Sequence, residues 1–326
     1  MTTFRPLLLL PLVTSACDGG GKTEDLCEVT VSGTLPAAGD AAGYRDPFGF
    51  LLSAPDPAAV ITTDVPGQQA TSDDGLTVTW VPDSPLAPET AYHASLTFCG
   101  GTQDLDFTTS DLGKPLIDPQ ALVGRVYAVN LPEANIVSPA GLGGFLGPML
   151  AVVLAEVVAV SDTDLDVLGA VAVTGSAPPV EDYCTPTIDF PPGAFAEQPY
   201  FHLGPADVDL VVSGSIVTVG DLELTGTFSA DGSYFGGGVF TGLVDTRPLS
   251  LAQNPEGDGS DVCVLVSGLG VECANCPTDG QPFCLSLIAD NITAQATAGG
   301  DVVEVLGYNC EGCADGPPAV DATCED

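Results

Sequence analysis

The sequence predicts an all-β protein, and three observations carry that reading. Short runs alternate apolar and polar residues with a period of two, as strands do when one face is buried. The 39 Gly and 28 Pro of the 326-residue chain punctuate those runs at intervals suited to tight turns. No long stretch shows the three-and-four spacing of a capped amphipathic helix. Hydrophobic residues make up 45% and charged residues only 15%, so the chain has ample material for real cores despite a formal charge of −38. That charge excludes nucleic acid as a partner, because phosphate binding needs a Lys/Arg surface that six basic residues cannot assemble. It equally disfavours anionic lipid headgroups. Abundant carboxylates repel one another when screening is weak. Thermal stability is therefore expected to fall as salt is removed, and equal melting in low and high salt would show the charges too dispersed to matter.

The first element is a leader. Arg5 precedes an apolar run from Leu7 to Val13, followed by the small residues Thr14-Ser15-Ala16 and then Cys17. The run is too short to span a bilayer, which needs ~20 apolar residues, and reads as a secretory signal. Small residues ending at a cysteine resemble the bacterial lipoprotein signal, which implies that Cys17 becomes the lipidated N-terminus and ties the chain to a membrane. The signal is assigned to residues 1–17 and a Gly-rich tether to 18–27. Plain secretion with cleavage after Ala16 is the alternative. Ten cysteines then remain: Cys27, Cys99, Cys184, Cys263, Cys273, Cys276, Cys284, Cys310, Cys313 and Cys324. An even set in an exported chain is what a disulfide framework requires, and all ten are candidates for it.

Residues 28–110 read as a sandwich of short strands. Leu76, Val78 and Trp80 alternate with Thr77, Thr79 and Val81, and Tyr92, Ala94, Leu96 and Phe98 alternate with His93, Ser95 and Thr97. The turn from Asp83 to Thr90 between these runs is rich in Pro, Ser and Asp. These strands, with Ser32 to Asp40, Asp56 to Val60, Pro85-Leu86-Ala87-Pro88 and Phe107-Thr108-Thr109, resemble the bacterial Ig-like domains of the SbsA type. The resemblance covers about a quarter of the chain and implies a spacer or adhesion module without a catalytic site. Cys99 stands on the parity opposite to Phe98, away from the core, and a bond to Cys27 would pin the first strand beside it.

A linker is read at 111–118, and residues 119–326 form a larger, Cys-rich antiparallel β-domain, either sandwich or barrel. Strands are expected over Gly124 to Leu131, Met149 to Val160, Val167 to Val173, Ala206 to Val212 and Asp221 to Phe228. Ala140 to Val160 is long and apolar enough to raise a membrane span as an alternative, but Glu156, Pro148 and the lack of flanking basic residues favour a core segment. Asp231-Gly232 marks a hairpin with a primed turn, and Gly236-Gly237-Gly238 a bulge or bend of the kind found at barrel corners.

Candidate chemistry is sparse. Cys273-x-x-Cys276 and Cys310-x-x-Cys313 have the spacing of zinc ligands, but export favours disulfides. Asn254, Glu256, Asp258 and Asp261 set oxygens at alternate positions and are the candidate calcium ligands, although Leu265 stands where an EF-hand needs Glu; Asp162 to Asp166 is a second acidic cluster. No other cofactor is implied. His93 and His202 lack the surrounding motifs of a hydrolase, there is no G-x-S-x-G and no H-E-x-x-H, and the chain is read as non-catalytic. Tyr200, Phe201, Tyr234 and Phe235 are the candidate sugar platform, with a place in a β-core as the commoner alternative for such aromatics, and Asn291-Ile292-Thr293 fits a glycan acceptor. The expectation is a lipid-anchored protein of the bacterial envelope with a display or adhesion role and an unidentified surface ligand or protein partner. Its alternatives are a calcium- or carbohydrate-binding module and a secreted β-fold hydrolase.

Overall fold

The computed structural model describes residues 27–306, apart from positions 140, 142, 148, 149, 174, 213, 214 and 299. The expected signal at 1–17, most of the expected tether, and Cys17, Cys310, Cys313 and Cys324 lie outside the described residues.

The N-terminal domain contains β1 (Val31–Leu35), β2 (Phe48–Leu52), β3 (Val60–Thr63), β4 (Gly67–Thr71), β5 (Thr77–Pro82), β6 (Ala91–Phe98) and β7 (Gly101–Thr108). A four-stranded sheet in the order β1-β2-β5-β4 faces a three-stranded sheet in the order β3-β6-β7. This is the strand order of a seven-stranded immunoglobulin-type sandwich. Alternation decides which residues meet between the sheets: Phe48, Phe50, Val78, Ala94 and Leu96 are essentially inaccessible to solvent. Phe107 packs its ring 4.9 Å from that of Phe48. At the start of β6 the Tyr92 hydroxyl accepts a hydrogen bond from the Ala87 backbone N–H at 2.8 Å, the tyrosine corner that fixes the turn between sheets in such sandwiches. Cys27 and Cys99 are bonded, tying the entry of β1 to the β6–β7 turn.

The larger domain is a closed barrel. Its strands are β8 (Val126–Val129), β9 (Asn135–Ser138), β10 (Val153–Val160), β11 (Asp164–Val171), β12 (Ile188–Asp189), β13 (Gly193–Ala194), β14 (Tyr200–Val212), β15 (Ser215–Phe228), β16 (Tyr234–Asp245) and β17 (Cys284–Thr297). The order β10-β8-β17-β16-β15-β14-β13-β11 returns to its start because β11 also pairs with β10, making an 8-strand ring; β12 joins β11 and β9 joins β17 as outliers. Closure removes the unpaired strand edges that a flat sheet would expose. The choice between sandwich and barrel, open in the sequence, is thus resolved as barrel.

Four long strands reverse their inward parity part-way along. In β15 the buried residues are Val217 and Val219, then Leu222 and Leu224; in β17 they are Leu285, Leu287 and Ala289, then Ile292 and Ala294. Each reversal coincides with a break in register and a residue of positive φ: Gly204 (94°) in β14, Asp221 (49°) in β15, Gly237 (59°) in β16 and Asn291 (56°) in β17. A bulge inserts one residue, bends the strand and swaps which face points inward. Four such bends curl the sheet tightly enough to close. The bulge expected at Gly236-Gly237-Gly238 is among them, and Asn291 of the glycan-acceptor motif serves a second.

The hairpin at Asp231-Gly232 is present, but its turn differs from the primed type. Only Gly232 has positive φ (66°), while Asp231 accepts hydrogen bonds from the Ser233 N–H at 2.9 Å and the Ser233 hydroxyl at 2.7 Å. These bonds and one from Ser229 lower the Asp231 carboxyl to about 2. The local side-chain bonds stabilise an Asx turn instead.

Aromatic residues fill the lower barrel. Phe228 lies 4.9 Å from Phe201, 5.4 Å from Tyr127, and 5.9 Å from both Phe195 and Phe235, ring centre to ring centre. Burial pushes the Tyr127 phenol up to about 12, and its hydroxyl donates to the Gly232 carbonyl at 2.7 Å. One apolar void of about 10 Å³ lies among these rings and a second of about 30 Å³ beside them, the two sharing Ala155, Leu203 and Leu224 in their linings. These side chains fill the lumen, as in small eight-stranded barrels.

Within the long apolar run before Val160, the stretch from Leu154 to Val157 is covered on both faces. A short helix, α1 (Gly143–Leu146), precedes β10, in which Ala155 and Val157 face the barrel core while Leu154 packs outside against Val126, Ala170 and Val302. Strands covered on both sides read as continuous hydrophobic sequence. No helix among the described residues is long and apolar enough to cross a membrane.

The two domains meet at the end of the barrel that carries the β15–β16 hairpin. Arg45 pairs with Glu197 and lies 4.0 Å over the Tyr200 ring. The Tyr234 hydroxyl donates to Asp111 at 2.6 Å, and Leu112 belongs to the sandwich core. The expected linker at 111–118 is therefore short and packed at its start, not a free spacer.

Candidate functional site

The opposite end of the barrel is closed by a helical cap, which holds four of the described cysteines and the candidate calcium ligands. Pro248 at the start of α2 (Arg247–Gln253) presets helical φ and needs no N–H partner there. The helix sits where β16 ends, with Leu249 packed against the barrel core and Ser250 fully buried. The Ser250 hydroxyl accepts from the Val262 N–H at 3.1 Å and donates to the Thr246 carbonyl at 3.1 Å, joining α2 to α3 (Asp261–Ser267). Arg247 grips both Asp245 oxygens, at 2.9 Å from Nε and 2.6 Å from Nη2, and also pairs with Asp279. These carboxylates raise the guanidinium pKa further. The Gln281 backbone N–H, and after it Arg247, hold the Asp279 carboxyl below its ordinary range. Two disulfides staple the cap: Cys263–Cys273 around α3, and Cys276–Cys284 onto the first residue of β17.

The Cys273-x-x-Cys276 pair is thereby divided between two bonds, so its thiolates do not converge on a metal. Cys184 is disulfide-bonded as well. Of the calcium candidates, Asn254 Nδ2 donates to Asp261 Oδ2 at 3.0 Å, while Asp258 accepts from the Ser260 N–H and hydroxyl at 3.0 and 2.5 Å. Those bonds hold the Asp258 carboxyl below its ordinary range. Glu256 is exposed. The segment forms the turn between α2 and α3, and among the described residues no group of three or more His, Cys, Asp or Glu is arranged to hold a metal ion.

The histidines stand apart from one another. His93, exposed on β6, contacts Asp106 through Nδ1 at 2.8 Å, and that bond raises its pKa. His202 and Glu223 are 3.5 Å apart on adjacent strands of the barrel wall, facing away from the lumen that Phe201, Leu203, Leu222 and Leu224 occupy. The four aromatics considered as a sugar platform are separated by strand alternation. Phe201 and Phe235 are core residues, whereas Tyr200 and Tyr234 belong to the interdomain joint. A groove of about 280 Å³ does open on the sandwich between Asp64, Pro66, Pro85 and Tyr92.

Sequence reasoning missed a pair of carboxylates that secure the chain after β17. Glu156 Oε2 accepts from the Val302 N–H at 2.6 Å and Glu181 Oε2 from the Val303 N–H at 2.8 Å. Glu181 is buried, and its Oε1 has no hydrogen-bond partner among the described residues. Burial, with the charges of Glu156 and Asp182, raises its carboxyl above the ordinary 4.5, against the opposing Val303 bond. Raised folded pKa means that the neutral form is the one the fold tolerates. Its contribution is intact below the ordinary carboxyl range and is lost as pH climbs through the raised value. Glu181→Gln keeps an acceptor for Val303 and is expected to melt higher than the parent at pH 8 but equally at pH 4. A scan showing no gain at pH 8 would contradict this.

No protein-family model, curated protein or solved structure matches the chain.

Proposed function

We propose that the protein is a non-catalytic, lipid-anchored component of the bacterial envelope, in which the Ig-like sandwich serves as a stalk and the barrel is the displayed module. The observation that carries the reading is the oxidised state of the cysteines. Every described one, namely Cys27, Cys99, Cys184, Cys263, Cys273, Cys276 and Cys284, is in a disulfide. Such a framework belongs to an exported protein, because cytosolic glutathione and thioredoxin keep thiols reduced. Export agrees with the leader read at residues 1–17, and Cys17 is the residue that would carry the lipid. The arrangement of domains supports a stalk: the sandwich, nearest the anchor in sequence, docks on one end of the barrel and leaves the capped end free.

Incorporation of a fatty-acid probe, processing that globomycin blocks, and fractionation with membranes test the anchor together. The parent is expected to show all three and Cys17→Ala none. A Cys17→Ala chain that still fractionates with membranes would refute lipid anchoring, and reduced thiols in the mature chain would refute export.

A further inference from the structure

We propose that the outward face of the cap at α3 and the turn after it, carrying Val264, Leu265 and Leu269, is a docking surface for a basic amphipathic segment of a partner protein. The inference goes beyond the envelope assignment and holds whether or not Cys17 carries a lipid. These three side chains are 65%, 59% and 63% exposed, respectively. Only Val266 of the seven α3 residues is buried, against Leu285, Val262, Val271 and Cys273. A helix this short has little stability of its own. Its exposed apolar face is held in place by Cys263–Cys273 around it and by the Ser250–Val262 bond beneath it. Exposed apolar side chains close together in sequence and fixed on one element mark an interaction site.

Charge selects the occupant. Glu256, Asp258, Asp261, Glu272 and Asp279 are all exposed on the cap and around it. The cation of this region, Arg247, is already neutralised by Asp245 and Asp279. Exposed apolar side chains flanked in sequence by Asp258, Asp261 and Glu272 are complementary to a segment whose Leu or Phe face is flanked by Lys or Arg, the pattern of an amphipathic helix laid on a hydrophobic surface. A second copy brings another −38 and a similar acidic border, so like charges oppose self-association. Anionic headgroups are opposed for the same reason. Position supports recognition as well. The cap lies at the far end of β16 from the Tyr234–Asp111 joint, and twelve strand residues, bent at Gly237, separate it from the sandwich contact by at most roughly 35 Å.

The test is fluorescence anisotropy of a labelled Leu/Lys amphipathic helical peptide titrated with the oxidised protein at physiological salt. A matched peptide with Glu in place of Lys serves as comparator. Binding of the Lys peptide, none of the Glu peptide, and at least about a tenfold loss of affinity in Val264→Ser/Leu265→Ser/Leu269→Ser are expected. Val60→Ser, which removes an exposed apolar residue of the sandwich, should bind like the parent. Leu265→Lys alone, placing a positive charge on the face, should also weaken binding, so the result does not depend on the triple variant. Equal binding of the two peptides, or an unchanged affinity in the cap variants, would overturn the proposal. So would a dimer in sedimentation that the cap variants dissociate, since the occupant would then be a second copy. Cap-dependent capture by phosphatidylglycerol vesicles would overturn it in favour of lipid.

Discussion

Replacing Phe228 with alanine is expected to destabilise the barrel by about 3–5 kcal/mol, the range for emptying a buried phenylalanine site. Phe228 has 2% exposure, and its ring contacts those of Tyr127, Phe195, Phe201 and Phe235 within 5.9 Å. The surrounding rings come from β8, β13–β14 and β16, across the width of a closed barrel. Closure is what makes the loss large. Strands locked into a ring on both sides cannot move inward to fill the space, whereas an open sheet can flex. The voids of about 30 and 10 Å³ already present show that the wall does not collapse onto every gap. Urea unfolding followed by far-UV circular dichroism reports both domains, and the barrel is the part of that transition that tryptophan fluorescence does not share. The chain's single tryptophan, Trp80, lies in the sandwich and reports that domain separately. A loss below about 1 kcal/mol would mean that the neighbouring rings repack into the space, contrary to a rigid ring.

The strands are more legible in the sequence than the path they take. Alternation in Tyr92 to Phe98 and Asp221 to Phe228 identifies inward faces because each strand there has one wet side. β10 gives a weaker signal, since Leu154 and Ala155 are buried on opposite faces and no polar alternation survives. Closure depends on residues whose meaning is local. The three adjacent glycines of β16 announce a bulge, but Asp221 and Asn291 do the same with side chains ordinary for a surface strand. Their positive φ is tolerated because short polar side chains accept the left-handed region better than branched ones. α2 and α3 are seven residues each, too short for periodicity to declare them. In α3 the run Val262 to Val266 reads as buried core, so the exposed face of the cap is invisible from composition. The disulfide map is equally closed to inspection, except for Cys27–Cys99, where Cys99's outward parity and the position of Cys27 before the first strand point to the bond that forms.

That bond supports the second large effect. Cys27→Ser/Cys99→Ser is expected to destabilise the sandwich by about 4 kcal/mol, from the chain entropy that a loop of this length regains when unfolded. The two cysteines are 72 residues apart, so the loop encloses nearly the whole domain. The cap disulfides bridge separations of only 10 and 8 residues, and the same relation assigns each about 2.5–3 kcal/mol. Entropy grows only logarithmically with loop length, so the difference between the bonds is modest, but their locations separate the effects. Loss of Cys27–Cys99 should lower the midpoint reported by Trp80 fluorescence while moving the barrel's circular-dichroism transition much less. Loss of Cys263–Cys273 should leave the Trp80 transition in place. If instead the double serine variant shifts both probes equally, the Arg45–Glu197 and Tyr234–Asp111 contacts couple the domains into one cooperative unit, and the sandwich would not be an independently folding stalk.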